Sequence, residues 1–240
     1  MKKALFLSLA LAAFDAQAQM PAGSPAFGGQ VVMVDNKWHV EFAVRDGGIR
    51  VWVRDLADVP VPVARLGGKA TLLGPGGRMD AMLFADKDLL KAEAPVKAAD
   101  KLAAVLSLTL DGKPVAARFS QAAVVQPPLS GPARAGKAPF EAVCAVCHGA
   151  SMRGTDNGPP LLHPYYAAGH HDDAMVLSAI GNGAKAHHWK FGDMPKPEGV
   201  EPGQDKEILA YLRAMQAANG IGADMAAMPM PMDHSMHKGH

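Results

Sequence analysis

The hydrophobic pattern of this chain changes period across residues 121–135, which limits it to folds built from two dissimilar parts. Upstream, from about Phe27 to Ser120, apolar residues alternate. His39-Val40-Glu41-Phe42-Ala43-Val44-Arg45 sets Val40, Phe42 and Val44 on one face and His39, Glu41 and Arg45 on the other. Asp46-Gly47-Gly48 is a turn signal, and Ile49-Arg50-Val51-Trp52-Val53-Arg54 resumes the alternation. Further strands are expected at Ala70–Leu73, Met79–Phe84, Leu102–Leu110 and Val115–Phe119, with Asp111-Gly112-Lys113 turning the last two. Short strands separated by frequent turns predict a small all-β antiparallel sandwich. The stretch 121–135 carries three prolines and little periodicity, as a linker does. From Gly136 to Ile221 the spacing becomes helical, which predicts an all-α domain. The expected organisation is a signal peptide over 1–18, a β-sandwich-like domain over 27–120, a linker over 121–135, a helical domain over 136–221 and a disordered tail over 222–240.

The first residues read as an export signal. Lys2 and Lys3 form a basic start, Ala4 to Phe14 is apolar, and Ala16-Gln17-Ala18 offers the small-x-small pattern of a cleavage site. A membrane anchor needs about twenty apolar residues, so a periplasmic or secreted protein without an anchor is expected. Lys+Arg 24 against Asp+Glu 23 removes the basic footprint of a nucleic-acid binder. Two cysteines exclude a four-cysteine zinc or iron–sulfur site.

Both cysteines lie in Cys144-Ala145-Val146-Cys147-His148. A C-x-x-C-H run reads as covalent haem attachment: each thiol adds to one porphyrin vinyl group, and the adjacent imidazole becomes the proximal iron ligand. A thioredoxin-like redox pair wants a βαβ context and gives His148 no task. Half a zinc site wants two further ligands at matching spacing. Export agrees with haem, which is attached on the far side of the membrane.

Residues 136–221 resemble class I, one-haem cytochrome c. Gly136, Phe140 and Cys144 stand four apart, as in that family's first helix, and Ile208, Leu209, Tyr211, Leu212 and Met215 match the apolar stripe of its last. Asp172 or Asp173 is placed to cap a helix through Val176, Leu177 and Ile180 to Gly183. Gly158-Pro159-Pro160-Leu161 resembles the loop whose proline carbonyl accepts the proton of the proximal imidazole, with Pro159 and Pro160 both open to that part. Gly192-Asp193-Met194-Pro195 resembles the segment that supplies the second axial ligand, making Met194 the expected sixth ligand and His187 or His188 the alternative. The resemblance implies one covalent haem c, a redox protein as partner, and single-electron transfer rather than catalysis.

Histidines exceed what that scheme uses. Tyr165-Tyr166, His170-His171 and His187-His188-Trp189 crowd one short region. Tyr166 and Trp189 carry polar hydrogens suited to haem propionates; a second metal site from His163, His170, His171 and a carboxylate is the sharper reading. In the tail, Met225, Met228, Met230, Met232 and Met236 with His234, His237 and His240 make a candidate copper site, since thioether sulfur selects Cu(I) and imidazole also takes Cu(II). His39, Glu41 and Trp52 on the outward sheet face are candidates for a docking surface. The functions that fit are an exported electron carrier, a periplasmic copper-handling protein, or the electron-transfer subunit of a periplasmic oxidoreductase.

Overall fold

A computed structural model describes residues 23–222. The expected signal segment and the copper-ligand candidates Met225, Met228, Met230, Met232, His234, Met236, His237 and His240 lie outside the described residues.

The first part is built from strands β1 (Gln30–Val34), β2 (Trp38–Arg45), β3 (Gly48–Asp55), β4 (Leu66–Gly74), β5 (Gly77–Met82), β6 (Phe84–Asp86), β7 (Leu89–Glu93), β8 (Leu102–Leu110) and β9 (Lys113–Gln121). They form two antiparallel sheets, ordered β1-β2-β3-β7-β6 and β5-β4-β8-β9. The register pairs Val40 with Val53 and Leu106 with Ala117, so apolar residues line up across each sheet. The core holds Val40, Phe42, Val44, Ile49, Val51, Leu72, Leu90, Leu106 and Phe119, with the rings of Phe42 and Phe119 stacked at 4.9 Å. Each large apolar side chain buried there contributes about 1.5–3 kcal/mol.

Three features depart from the sequence-based expectation. β1 was not expected; it closes on β2 through Asp35 and Asn36, both at positive φ. β7 also escapes the alternation rule. The expected Met79–Phe84 strand divides at buried Leu83, where the chain leaves one sheet (β5) for the other (β6).

A fourth departure concerns the expected docking surface. Alternation put His39, Glu41 and Trp52 on a face away from the core, but all three are buried, and every residue of β2 is covered. The chain segment before β1 lies over them. Glu41 accepts backbone N–H bonds from Ala26 (2.8 Å), Phe27 (2.8 Å) and Gly29 (2.9 Å) and pairs with Arg54 at 3.1 Å. This face is an internal contact and not a surface for a partner.

The second part contains α1 (Gly131–Pro139), α2 (Ala145–His148), α3 (Asp173–Asn182) and α4 (Gln204–Ala218). A π-helical turn, Phe140–Cys144, joins α1 to α2. Apart from a 3-10 turn at Pro164–Tyr166, the segments 149–172 and 183–203 contain no helix. Helix is thus only part of this region. α1 starts inside the stretch read as linker, with Pro132 in the first turn, where its missing N–H costs nothing. The segment before α1 is tied down: Val124 donates to the Ala99 carbonyl (2.8 Å), and Val125 exchanges two hydrogen bonds with the Asn219 side chain.

α1 crosses α4 at Gly136, where any Cβ would overlap the Glu207 carbonyl. Only glycine permits that approach. It brings Phe140 edge-on to Tyr211, ring centroids 5.5 Å apart, over a core completed by Ile208, Leu212 and Met215. Among the described residues no helix is long and apolar enough to cross a membrane.

The two parts touch along the covered face of β2 and β3. Phe27 stacks on Trp52 at 4.8 Å and meets Phe191 edge-on at 5.9 Å. Arg45 donates to the carbonyls of Phe27 (2.8 Å) and Arg153 (3.2 Å), and Arg50 grips Asp156, its closest bond 2.7 Å.

Candidate functional site

Helical backbone delivers Cys144, Cys147 and His148 together. Pro139 sits inside α1 and the π turn follows it immediately, widening the helix by one residue per turn as it reaches Cys144. Both cysteines are free and half-buried. Burial, with Cys147 nearby, pushes the Cys144 thiol up to about 11, so it stays protonated at neutral pH.

His148 is buried, and burial holds it below its ordinary value against the opposing pull of one hydrogen bond. That bond runs from Nδ1 to the Pro159 carbonyl, 2.8 Å away. A carbonyl only accepts, so Nδ1 carries the proton and Nε2 keeps a lone pair. Of the two prolines left open by the sequence, Pro159 supplies the acceptor; Pro160 packs instead against Gly28 of the strand-rich part. The loop is anchored to the same helix, since Gly154 donates to the His148 carbonyl (2.8 Å) and Thr155 Oγ1 to that of Cys147 (2.7 Å).

A second set of elements brings Met194. Asp172 caps α3, its carboxylate accepting from Met175 N–H at 2.8 Å. The helix ends at Gly183, whose positive φ turns the chain beneath the Met194 carbonyl. Ala184 and Met194 then exchange two backbone hydrogen bonds of 2.9 and 2.8 Å. This bridge closes the loop 185–193 and fixes where Met194 leaves it.

Cys144, Cys147, His148 and Met194 line one cavity of about 450 Å³, with Val176, Ile180, Ile208 and Leu212 among its apolar neighbours. Cofactor sites occupy about 300–1,000 Å³ and combine apolar walls with a few convergent polar groups. Two thiols, an imidazole with a free Nε2 and a thioether are the donor set a covalently attached, axially ligated haem requires, so the residues present fit that group.

Tyr166 and Trp189 also line the cavity. Trp189 Nε1–H donates to the Tyr166 oxygen at 3.1 Å, and burial pushes the Tyr166 phenol up to about 12. The indole hydrogen is therefore spent within the protein, while the phenol hydrogen stays free to donate. His163 does not join His170 and His171. Its Nδ1 accepts from Tyr165 N–H at 3.2 Å, and its ring packs on Tyr165 and Trp189. His188 takes the place expected for His163: His170, His171 and His188 present nitrogens within 4.8 Å of one another, without a carboxylate.

Arg213 and Gln216 were missed. Arg213 donates to the carbonyls of Tyr166 (2.8 Å) and His171 (2.7 Å) and pairs with Asp173 at 2.9 Å. Gln216 Nε2 donates to the carbonyls of Leu161 (3.1 Å) and Tyr166 (3.0 Å). Together they fasten the loop 161–173 to α4. One signal for Gln216 was available: it continues the Ile208, Leu212 stripe, and a polar residue at a core position of a helix implies a buried hydrogen-bonding task.

No curated protein and no solved structure gave a match to this chain. Residues 133–216 match the family model of cytochrome c, a family defined by covalently bound haem c. That span covers the Gly136 helix crossing, the paired thiols, the loop with Pro159 and Met194. The chain therefore carries a cytochrome c domain, preceded by a strand-rich domain of two antiparallel sheets.

Proposed function

We propose that this protein is an exported single-electron carrier, in which Cys144 and Cys147 would attach one haem and His148 and Met194 would ligate its iron. The observation that carries this reading is the His148 Nδ1 bond to Pro159, 2.8 Å long, at the edge of a cavity that the two thiols and Met194 also line. Bound haem supplies a one-electron iron couple. The chain's own part is positional. Pro159 holds the His148 ring and makes its free nitrogen more basic. The Ala184–Met194 bridge presents a thioether, a ligand type that raises the reduction potential. Apolar Ile180 and Leu212 keep water from that side of the cavity.

Acid–organic extraction of the matured protein tests the attachment. One haem per chain should stay with the polypeptide, and Cys144→Ala with Cys147→Ala should release it. Free haem from the native chain would refute the reading.

Export rests on the Lys2–Ala18 pattern, and service as a subunit of a larger oxidoreductase would use the same electron transfer. Copper binding by the Met225–His240 segment rests on composition alone. Cu(I) titration with and without residues 222–240 decides it, equal uptake speaking against it.

A further inference from the structure

Four histidines gather beside the cavity, and the contact between two of them is one their own hydrogen bonds do not explain. His171 Nδ1 bonds the Tyr165 carbonyl, and His187 Nδ1 lies 2.8 Å from the Lys185 carbonyl. Carbonyl oxygen only accepts, so in both rings the proton of the neutral imidazole sits on Nδ1 and Nε2 is a bare lone pair. Those two Nε2 atoms face each other at 3.1 Å. Two lone pairs at hydrogen-bond distance repel unless a cation lies between them. The Nε2 atoms of His170 and His188 lie 3.1 Å apart beside them, though no carbonyl fixes the tautomer of that pair. The rings of His187 and His188 are neighbours, their centroids 4.3 Å apart.

We propose that His170, His171 and His188, with His187 beside His171, form a binding site for a divalent transition-metal ion of the zinc and copper(II) class. Two imidazole nitrogens on one tetrahedral zinc, each about 2.0–2.1 Å from the metal, stand about 3.3–3.4 Å apart. The observed separations lie within a few tenths of an ångström of that edge. The backbone carbonyls behind His171 and His187 are the partners that metal-bound imidazoles use to fix the tautomer and raise ligand basicity. An all-imidazole set suits zinc, copper(II) and nickel. It lacks the carboxylates wanted by magnesium, calcium or manganese and the sulfur wanted by Cu(I).

The scaffold is held from three sides. Arg213 binds the His171 carbonyl, Tyr165 stacks on the His188 ring at 4.3 Å, and the Ala184–Met194 bridge closes the loop bearing His187 and His188. His170 and His187 are exposed, which leaves an entry path. His171, His187 and His188 also line the cavity that takes the cofactor, so a bound dication would act on that cavity by charge. The site does not need haem to form, but it does rest on Met194, and not His187 or His188, being the sixth ligand when haem is bound.

The test is calorimetric titration of the matured full-length chain with Zn²⁺. His234→Gln, His237→Gln and His240→Gln are introduced first, so that no tail imidazole contributes. The expected result is one equivalent of Zn²⁺ bound. His170→Gln with His187→Gln should then weaken binding by at least about 100-fold, since losing even outer partners of metal ligands costs about 10–100-fold. Both positions are exposed, so the fold survives their replacement. With Cu²⁺ as a second probe, electron paramagnetic resonance should show coupling to several nitrogens that the double variant lacks. Absence of a stoichiometric Zn²⁺ step, or equal affinity in the double variant, overturns the proposal.

Discussion

His163 shows how a single ring can make this fold sensitive to acid. Burial pushes its imidazole down to about 4, and its Nδ1 is committed as an acceptor from Tyr165 N–H. Protonation would turn that acceptor into a donor facing another donor. An unfolded histidine titrates near 6.5, so between about 6.5 and 4 the unfolded chain binds a proton that the folded chain refuses. The stabilisation is complete above about 6.5 and is lost as pH falls toward about 4. His188, also held near 4 chiefly by burial, adds to the same slope. Asn at 163 keeps a side-chain acceptor and does not titrate. Urea midpoints measured across this window should therefore fall less steeply for His163→Asn than for the native protein. An unchanged slope would show that His163 is not a source of the acid sensitivity.

At the scale of elements, the crossing of α1 over α4 is the contact on which the cavity depends. A methyl group at Gly136 would have to displace the Glu207 backbone, not a flexible side-chain end. Overpacking of this kind typically costs about 1–3 kcal/mol. Gly136→Ala should lower stability by about that amount in chemical denaturation. Gly181→Ala, with no atom within 4 Å of its new Cβ, should be neutral or stabilising by up to about 1 kcal/mol, as expected for alanine in a helix. Equal effects at the two positions would show that close approach is not what Gly136 provides. This crossing was foreseen only through the family resemblance that Gly136, Phe140 and Cys144 carry, whereas a cap at Asp172 or Asp173, the stripe of α4 and the hairpin of β8 with β9 were legible from local pattern. β1 and β7 were not, because Gln30–Val34 and Leu89–Glu93 are short and fail to alternate cleanly. Alternation along β2 correctly separated two faces of His39–Arg45 but carries no information on what covers the second. The histidine cluster depends on a loop fold that brings His187 and His188 back to His170 and His171, a contact across some 16–18 residues that local pattern does not record.

Across the whole molecule, the strand-rich domain is packed against the loop that fixes His148. Arg50 and Arg45 reach Asp156 and the Arg153 carbonyl, and Gly28 lies against Pro160, so these contacts flank Pro159 on both sides. The half-exposed Arg50–Asp156 pair is worth about 0–1 kcal/mol. The edge contact of Phe27 with Phe191, the Arg45 bond to the Arg153 carbonyl and the Lys190 bond to the Ala26 carbonyl also cross between the parts. The Phe27–Trp52 stack and buried Glu41 network hold Phe27 in place for them. The β domain thus acts as a brace for the ligand loop. Electron transfer of the kind proposed requires that His148 and Met194 together close the coordination of one iron. Optical spectroscopy of the matured protein and its Met194→Ala variant, with CO added to the reduced forms, measures this directly. The native protein should show a ferric methionine–iron charge-transfer band and resist CO, whereas Met194→Ala should lose the band and bind CO. A variant that keeps the native spectrum and still excludes CO would contradict ligation by Met194 and place the sixth ligand elsewhere; His187 and His188, the alternatives the sequence offered, also line the cavity.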